Sequence, residues 1–123
     1  WQPNNPEYIR ELKPEEYEVH IGDLAPDGSQ LRPFIVWFGE AVPMFERAAE
    51  IAGTADLMVV VGTSLAVYPA ASLVRYVRPD VPIFLVDPGN PDTAMIRNPL
   101  THIRSRAAEG MPELAERLKS EFS

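Results

Sequence analysis

The chain contains no cysteine, which excludes disulfides and thiolate-bound metal within it. It has only two histidines, His20 and His102, and neither has a partner at metal-ligand or triad spacing. Positive charge is also scarce. Eleven Lys and Arg stand against eighteen Asp and Glu, a formal net charge of -7, which argues against a nucleic-acid surface. No apolar run approaches the roughly 18 residues of a membrane span, and no basic-then-apolar leader opens the chain. Three motifs are missing as well: a P-loop, a G-x-G-x-x-G dinucleotide fingerprint and a serine nucleophile elbow. Compartment stays open on cysteine usage alone; the acidic composition suggests a cytoplasmic protein.

What is present suits one domain. The 123 residues are 46% hydrophobic and 24% charged, an ordinary globular balance. The first residue is Trp1 rather than methionine, so the sequence looks like the middle of a longer chain. Residues 1–33 show no sustained period. Pro14 to Glu18 could open a short helix, and Gly22 to Gln30 is turn material. The acidic cluster Glu7, Glu11, Glu15, Glu16 and Glu18 reads most simply as a solvated face.

From Phe34 three apolar runs follow: Phe34 to Phe38, Leu57 to Val61, and Val81 to Val86. None alternates with polar residues, so each is expected to be a strand covered on both faces, as in parallel sheets. Pro82 delays the start of the third to Ile83. Between the runs, Pro43 to Ala52 places Phe45, Ala48, Ala49 and Ala52 on one helical side, with Gly53 as a cap, and Pro69 to Tyr76 suits a shorter helix. His102 to Arg104 reads as a short edge strand, and an amphipathic helix starts near Pro112. The expected order is β-α-β-α-β, then a short strand and a last helix. The fold class is α/β, a partial Rossmann-like doubly wound parallel sheet.

In such sheets ligands bind at the carboxyl ends of the strands. The second run ends in Gly62-Thr63-Ser64. A glycine without Cβ, two hydroxyls and their N–H groups could hold a phosphate or ribose, or simply form a tight turn. Asp87 ends the third run. Its carboxylate could accept from ribose hydroxyls, or start the Asp87-Pro88-Gly89-Asn90 turn, and the two roles are compatible. Trp37 and Phe38 could be core or line an apolar channel, and Glu40 could be a solvated end residue. His20 and His102 read as surface or packing residues.

Two stretches carry a specific resemblance. Leu31-Arg32-Pro33-Phe34-Ile35-Val36-Trp37-Phe38-Gly39-Glu40 resembles the sirtuin segment before the substrate site. Gly62-Thr63-Ser64-Leu65-Ala66-Val67-Tyr68-Pro69-Ala70-Ala71 resembles the sirtuin GTS motif and its continuation. Val86-Asp87-Pro88 and Ala107-Ala108-Glu109-Gly110-Met111-Pro112 follow in the family's order, so the resemblance runs from residue 31 to 118.

The resemblance implies NAD-dependent protein lysine deacylation: the acyl oxygen attacks C1′ of the nicotinamide ribose, nicotinamide leaves, and the acyl group passes to ADP-ribose. It implies that Gly62, Thr63, Ser64, Asp87 and Ala107 bind NAD, with Asp87 replacing the commoner asparagine. It implies that Val36 and Phe38, flanking Trp37, line the acyl-lysine tunnel. Phe38, Gly39 and Glu40 on one side, and Leu65, Ala66 and Val67 on the other, would pair with an extended acyl-lysine peptide.

The family's diphosphate loop, nicotinamide pocket and His-Gly-Glu base have no counterpart in this sequence. The resemblance places them before Trp1, so residues 1–123 are expected to be the C-terminal half of a sirtuin core. No catalytic residue is assigned here. The isolated chain is expected to be inactive without its N-terminal half, supplied by the same polypeptide or by a bound chain. Residues 1–30 would be the remnant of the small zinc-module-like subdomain and residues 31–123 part of the NAD-binding domain. Leu24 and Asp27 stand where the family places a Cys-x-x-Cys pair, so no structural zinc is expected. Packing by Trp1, Tyr8, Ile9 and Tyr17 and turn hydrogen bonds would hold that loop. A non-catalytic ADP-ribose or acyl-peptide binding module is the alternative, and an unrelated doubly wound protein with a phosphate-binding turn is a third reading.

Overall fold

A computed structural model describes residues 8–122. They form two compact units, the first ending at Pro43 and the second beginning at Met44.

The second unit is an α/β layer, as its apolar runs require. Helix α1 (Phe45–Thr54) leads to strand β1 (Met58–Val61), and a 3-10 helix (Ala70–Arg75) leads to β2 (Ile83–Val86). Strand β3 (Leu100–Ile103) and helix α2 (Ala107–Phe122) complete it. The strands lie in the order β1-β2-β3, all parallel, with Val61 level with Val86 and Val86 level with Ile103.

Central β2 explains why its sequence does not alternate. Ile83 and Leu85 face a cluster with Val60, Leu65 and Val74, while Phe84 and Val86 face Leu114 of α2. Both faces of the strand are covered, so all four residues are buried. In α1 the small residues Ala49 and Ala52 are the buried ones. Phe45 meets Tyr76 edge-on at a 5.7 Å centroid distance.

Gly110 sets how closely α2 approaches the sheet. A Cβ built there would lie 2.7 Å from Val86 Cγ1 and 3.3 Å from Ile103 Cγ2. The helix therefore begins directly against the carboxyl ends of β2 and β3.

Several expectations need correction. Phe34 to Phe38 is no strand: Trp37 is 64% and Phe38 93% exposed. The chain folds back on itself here, with Ile35 N–H donating to Pro33 O at 2.8 Å and Glu40 N–H to Trp37 O at 3.1 Å. Such closure is incompatible with a five-residue extended run. Pro14 to Glu18 forms a single turn, Glu16 N–H to Lys13 O at 2.8 Å, because exposed glutamates bury nothing to offset helix nucleation. Gly53 lies inside α1; the chain leaves through Ala55 in an extended conformation, which needs no glycine. Helix α2 starts at Ala107, one turn before Pro112, since Glu109 and Gly110 N–H already bond Arg106 O. The edge strand is Leu100–Ile103, displaced from the expected 102–104.

In the first unit, Ala25 and Leu31 are buried and the 20–31 loop closes on Gln30. The Gln30 side chain accepts from Gly22 N–H and donates to the carbonyls of His20, Asp23 and Leu31. Leu24 pairs with Gln30 as an isolated antiparallel bridge. Turn hydrogen bonds thus hold the segment. Tyr17, 74% exposed, does not pack there as expected, and Trp1 lies outside the described residues.

Candidate functional site

The parallel register brings three strand ends to one edge. Gly62 N–H donates to Val86 O at 2.9 Å and Asp87 N–H to Ile103 O at 3.2 Å. Gly62, Asp87 and Arg104 therefore emerge side by side, and Ala107 opens α2 just beyond. The five residues expected to bind cofactor are gathered on this edge of one unit.

Each has a local reason for its position. Gly62 has φ +62°, a region that disfavours side chains, and a Cβ there would meet nothing within 4 Å. The space before it is open. Leu65 N–H donates to Thr63 Oγ1 at 3.1 Å, so the threonine oxygen closes the turn while its hydroxyl hydrogen can still point to a ligand. Leu65 adopts φ +56°, an uncommon conformation for leucine, and is only 4% exposed. Its side chain joins the core cluster with Val60, Val74 and Ile83, which offsets the backbone cost. Ser64 is left exposed on the outside of the turn.

The Asp87 turn is tied from two sides. Asp87 Oδ1 accepts from Gly89 N–H at 2.7 Å, which is the turn-forming role. His102 Nε2 donates to Asp87 O at 2.9 Å, and the Arg104 guanidinium bonds Asn90 Oδ1. His102 is thus a packing residue, and exposed His20 pairs with Glu18 and bonds Asp23. An apolar cavity of about 310 Å³ lies beside the Gly62 turn, lined by Val59, Val60, Thr63, Leu65, Val67 and Val74. A larger hollow of about 510 Å³ belongs to the first unit, among Arg10, Glu16 and His20. Its lining brings no motif with it. Among the described residues, no group of three His, Asp or Glu could hold a metal ion.

The residues expected to meet a peptide fall on both units. Leu65 has its side chain in the core, so only its backbone is on offer, whereas Ala66 and Val67 are exposed. Val36, Trp37, Phe38 and Gly39 are exposed in the first unit. Glu40 is not the solvated end residue expected. Its carboxylate takes Arg32 Nη1 on Oε1 at 2.8 Å, Arg32 Nη2 on Oε2, and Trp37 N–H on Oε2 at 2.8 Å. Arg32 was not singled out from the sequence. The only signal was its place in Leu-Arg-Pro, eight residues before the partner.

The Arg32 bond, then the Trp37 amide, hold the Glu40 carboxyl below its usual range, and Glu40 in turn raises Arg32. A lowered carboxylate stabilises the fold fully above its unfolded value, about 4.3, and loses that contribution as pH falls through the lowered value. The Trp37 amide proton is therefore expected to hold its shift through the ordinary glutamate range and move only at more acid pH. An NMR pH titration checks this; movement centred on the ordinary value would contradict it.

Comparison with known proteins fits this geometry. Residues 4–69 match the model of the Sir2 family. An NAD-dependent protein deacylase of Bacteroides thetaiotaomicron is 54% identical over 116 residues, 94% of this chain and 49% of that protein. One of Helicobacter pylori is 43% identical over 103 residues, 84% of this chain and 44% of that protein. A crystal structure of a Sir2 homologue with NAD superposes with a TM-score of 0.64 at 36% identity, covering 78% of this chain and 38% of the other. A Sir2 complex with p53 peptide and NAD+ gives 0.55 at 33%, covering 80% and 40%. The chain spans about half the length of the curated relatives it matches.

Proposed function

We propose, from the premise that this chain belongs to the Sir2 family, that it is part of an NAD-dependent protein lysine deacylase. The observation that carries the proposal is the strand-end cluster: Gly62, Thr63, Ser64, Asp87 and Ala107 on one edge, with open space before Gly62. These residues fit a dinucleotide. A glycine lets backbone approach the ligand, hydroxyls and N–H groups bind its ribose and phosphate oxygens, and the start of α2 lends partial positive charge. NAD supplies the ribose carbon that accepts the acyl group, with nicotinamide as the leaving group. The chain's own residues bind and orient. The Gly62 turn holds the ribose–phosphate side, Asp87 faces the adenosine ribose, and Ala107 approaches the adenine through backbone. Val36 to Glu40 and Leu65 to Val67 receive the acyl-lysine peptide by strand addition.

In the same proposal, residues 1–30 are the remnant of the small subdomain and 31–123 part of the NAD-binding domain. The N-terminal half completes the enzyme, and the protein works in the cytoplasm. No helix among the described residues is long and apolar enough to cross a membrane.

The test uses the full-length protein and an acyl-lysine peptide. Loss of the acyl group only with NAD present, with one nicotinamide released per lysine freed, supports the reading. Equal deacylation without NAD contradicts it, and ADP-ribose binding without turnover favours the binding module.

Asp87 offers a finer check. Asp87→Asn keeps an acceptor for Gly89 N–H and is expected to change KM for NAD by less than about threefold, whereas Asp87→Ala loses that acceptor and the proposed contact with the ribose and raises it about tenfold. Steady-state kinetics with NAD varied would measure both. An unchanged KM in the alanine variant removes Asp87 from the cofactor site.

A further inference from the structure

We infer that the Arg32–Glu40 clasp is a positioning device that sets the register in which the 35–39 segment pairs with the acyl-lysine peptide. The inference rests on the deacylase reading above and adds to it a residue, Arg32, and a rule.

The clasp consumes a defined set of backbone groups. Trp37 N–H donates to Glu40 Oε2 at 2.8 Å, and Trp37 O accepts from Glu40 N–H at 3.1 Å. Ile35 O accepts from Arg32 Nη2 at 2.9 Å, and Ile35 N–H donates to Pro33 O at 2.8 Å. The main-chain groups of Ile35 and Trp37 are therefore spent inside the arch. Among the described residues, none takes the amide or carbonyl of Val36 or Phe38.

Along this bent segment, bonded and unbonded main-chain groups follow one another residue by residue, Ile35 and Trp37 bonded, Val36 and Phe38 not. The spent set and the available set thus fall on alternate residues. An incoming peptide strand is left with Val36 and Phe38, and a slip of one residue would meet groups already bonded. Because such a slip also turns every peptide side chain to the opposite face, the clasp decides which face the acyl-lysine presents. The two clasp side chains are partly sheltered, 24% exposed for Arg32 and 31% for Glu40. Phe38 between them is 93% exposed. Anchors that are held and a crest left open are what a presenting arch needs.

The guanidinium fork is essential to this geometry, because it reaches both carboxylate oxygens and the Ile35 carbonyl at once. Lysine keeps the charge and loses the fork.

The experiment uses the full-length protein and its variants Arg32→Lys, Glu40→Gln and Glu40→Ala. Fluorescence anisotropy gives the affinity for a labelled acyl-lysine peptide, and steady-state kinetics give separate KM values for peptide and NAD. Peptide affinity is expected to weaken about tenfold in Glu40→Ala and severalfold in Arg32→Lys, with KM for NAD unchanged within about twofold. Glu40→Gln, which keeps an acceptor for Trp37 N–H, is expected to fall between the wild type and Glu40→Ala. Equal loss in both KM values, or a fall in thermal midpoint with peptide affinity intact, would make the clasp merely structural and overturn the inference. Should Glu40→Ala fail to fold, Arg32→Lys decides by the same split. If the wild type binds the peptide but shows no NAD-dependent turnover, the deacylase reading fails while the anisotropy series still judges the clasp. If the wild type binds no acyl-lysine peptide, the clasp inference falls as well.

Discussion

Gly62→Val is expected to lower kcat/KM for NAD by at least about 100-fold while leaving the protein folded, a loss of roughly 2.7 kcal/mol of transition-state binding. The backbone at Gly62 has φ +62°, where a side chain costs about 1–2 kcal/mol and a β-branched one more. No protein atom lies within 4 Å of a Cβ placed there. The new methyls would therefore enter the space proposed for the cofactor, and damage to the core would be small. Calorimetric titration with ADP-ribose and a thermal melt separate the two effects. Lost binding with a modest fall in melting temperature is expected. Retained binding would move the cofactor away from this turn.

The second large effect reaches the same site from behind. Gly110→Val would place a Cβ 2.7 Å from Val86 Cγ1, and Val86 is fully buried, so neither side can give way. Helix α2 must lift off the ends of β2 and β3. Overpacking of this kind costs about 3 kcal/mol at the upper end of its range. In a full-length protein of ordinary domain size that lowers the melting temperature by roughly 6–12 °C. Because Ala107 opens the same helix, ADP-ribose affinity is expected to fall with stability, and Gly110→Ala to do the same more mildly. Differential scanning calorimetry with and without ADP-ribose measures both. A melting temperature within a degree or so of wild type would show that the sheet accommodates the methyls.

These two glycines show unequal legibility. Gly62 was readable because it ends an apolar run and two hydroxyls follow it. Gly110 was matched only by resemblance, since its packing against Val86 and Ile103 depends on the approach of a helix from outside the local sequence. Strands β1 and β2 were legible from continuous apolar runs, and Pro82 marked where β2 begins. The same rule failed for Phe34 to Phe38. An apolar run is expected to be buried in a sheet, yet Phe34 to Phe38 are all exposed, and the backbone is bent by a bond between Arg32 and Glu40. Periodicity carries no information on a side-chain pair eight residues apart. Pro112 misplaced the start of α2 for a related reason. A proline is most at home in the first turn, but burial of Met111, Leu114 and Leu118 against Phe84 and Val86 holds the helix through it. The residues proposed to bind cofactor at Gly62 to Ser64 and Asp87 were thus legible as strand ends and Ala107 only through the resemblance, whereas the Arg32–Glu40 pair was visible only in three dimensions.

The most direct measurement is an amide-resolved NMR titration of the full-length protein with ADP-ribose. Binding at the strand ends should move the amides of Gly62, Thr63, Ser64, Asp87 and Ala107, and leave those at the opposite ends of the strands, Met58, Ile83 and Leu100, in place. Saturable shifts confined to those opposite ends, or none at all at millimolar ADP-ribose, would contradict the placement of NAD on this edge and the deacylase reading built on it.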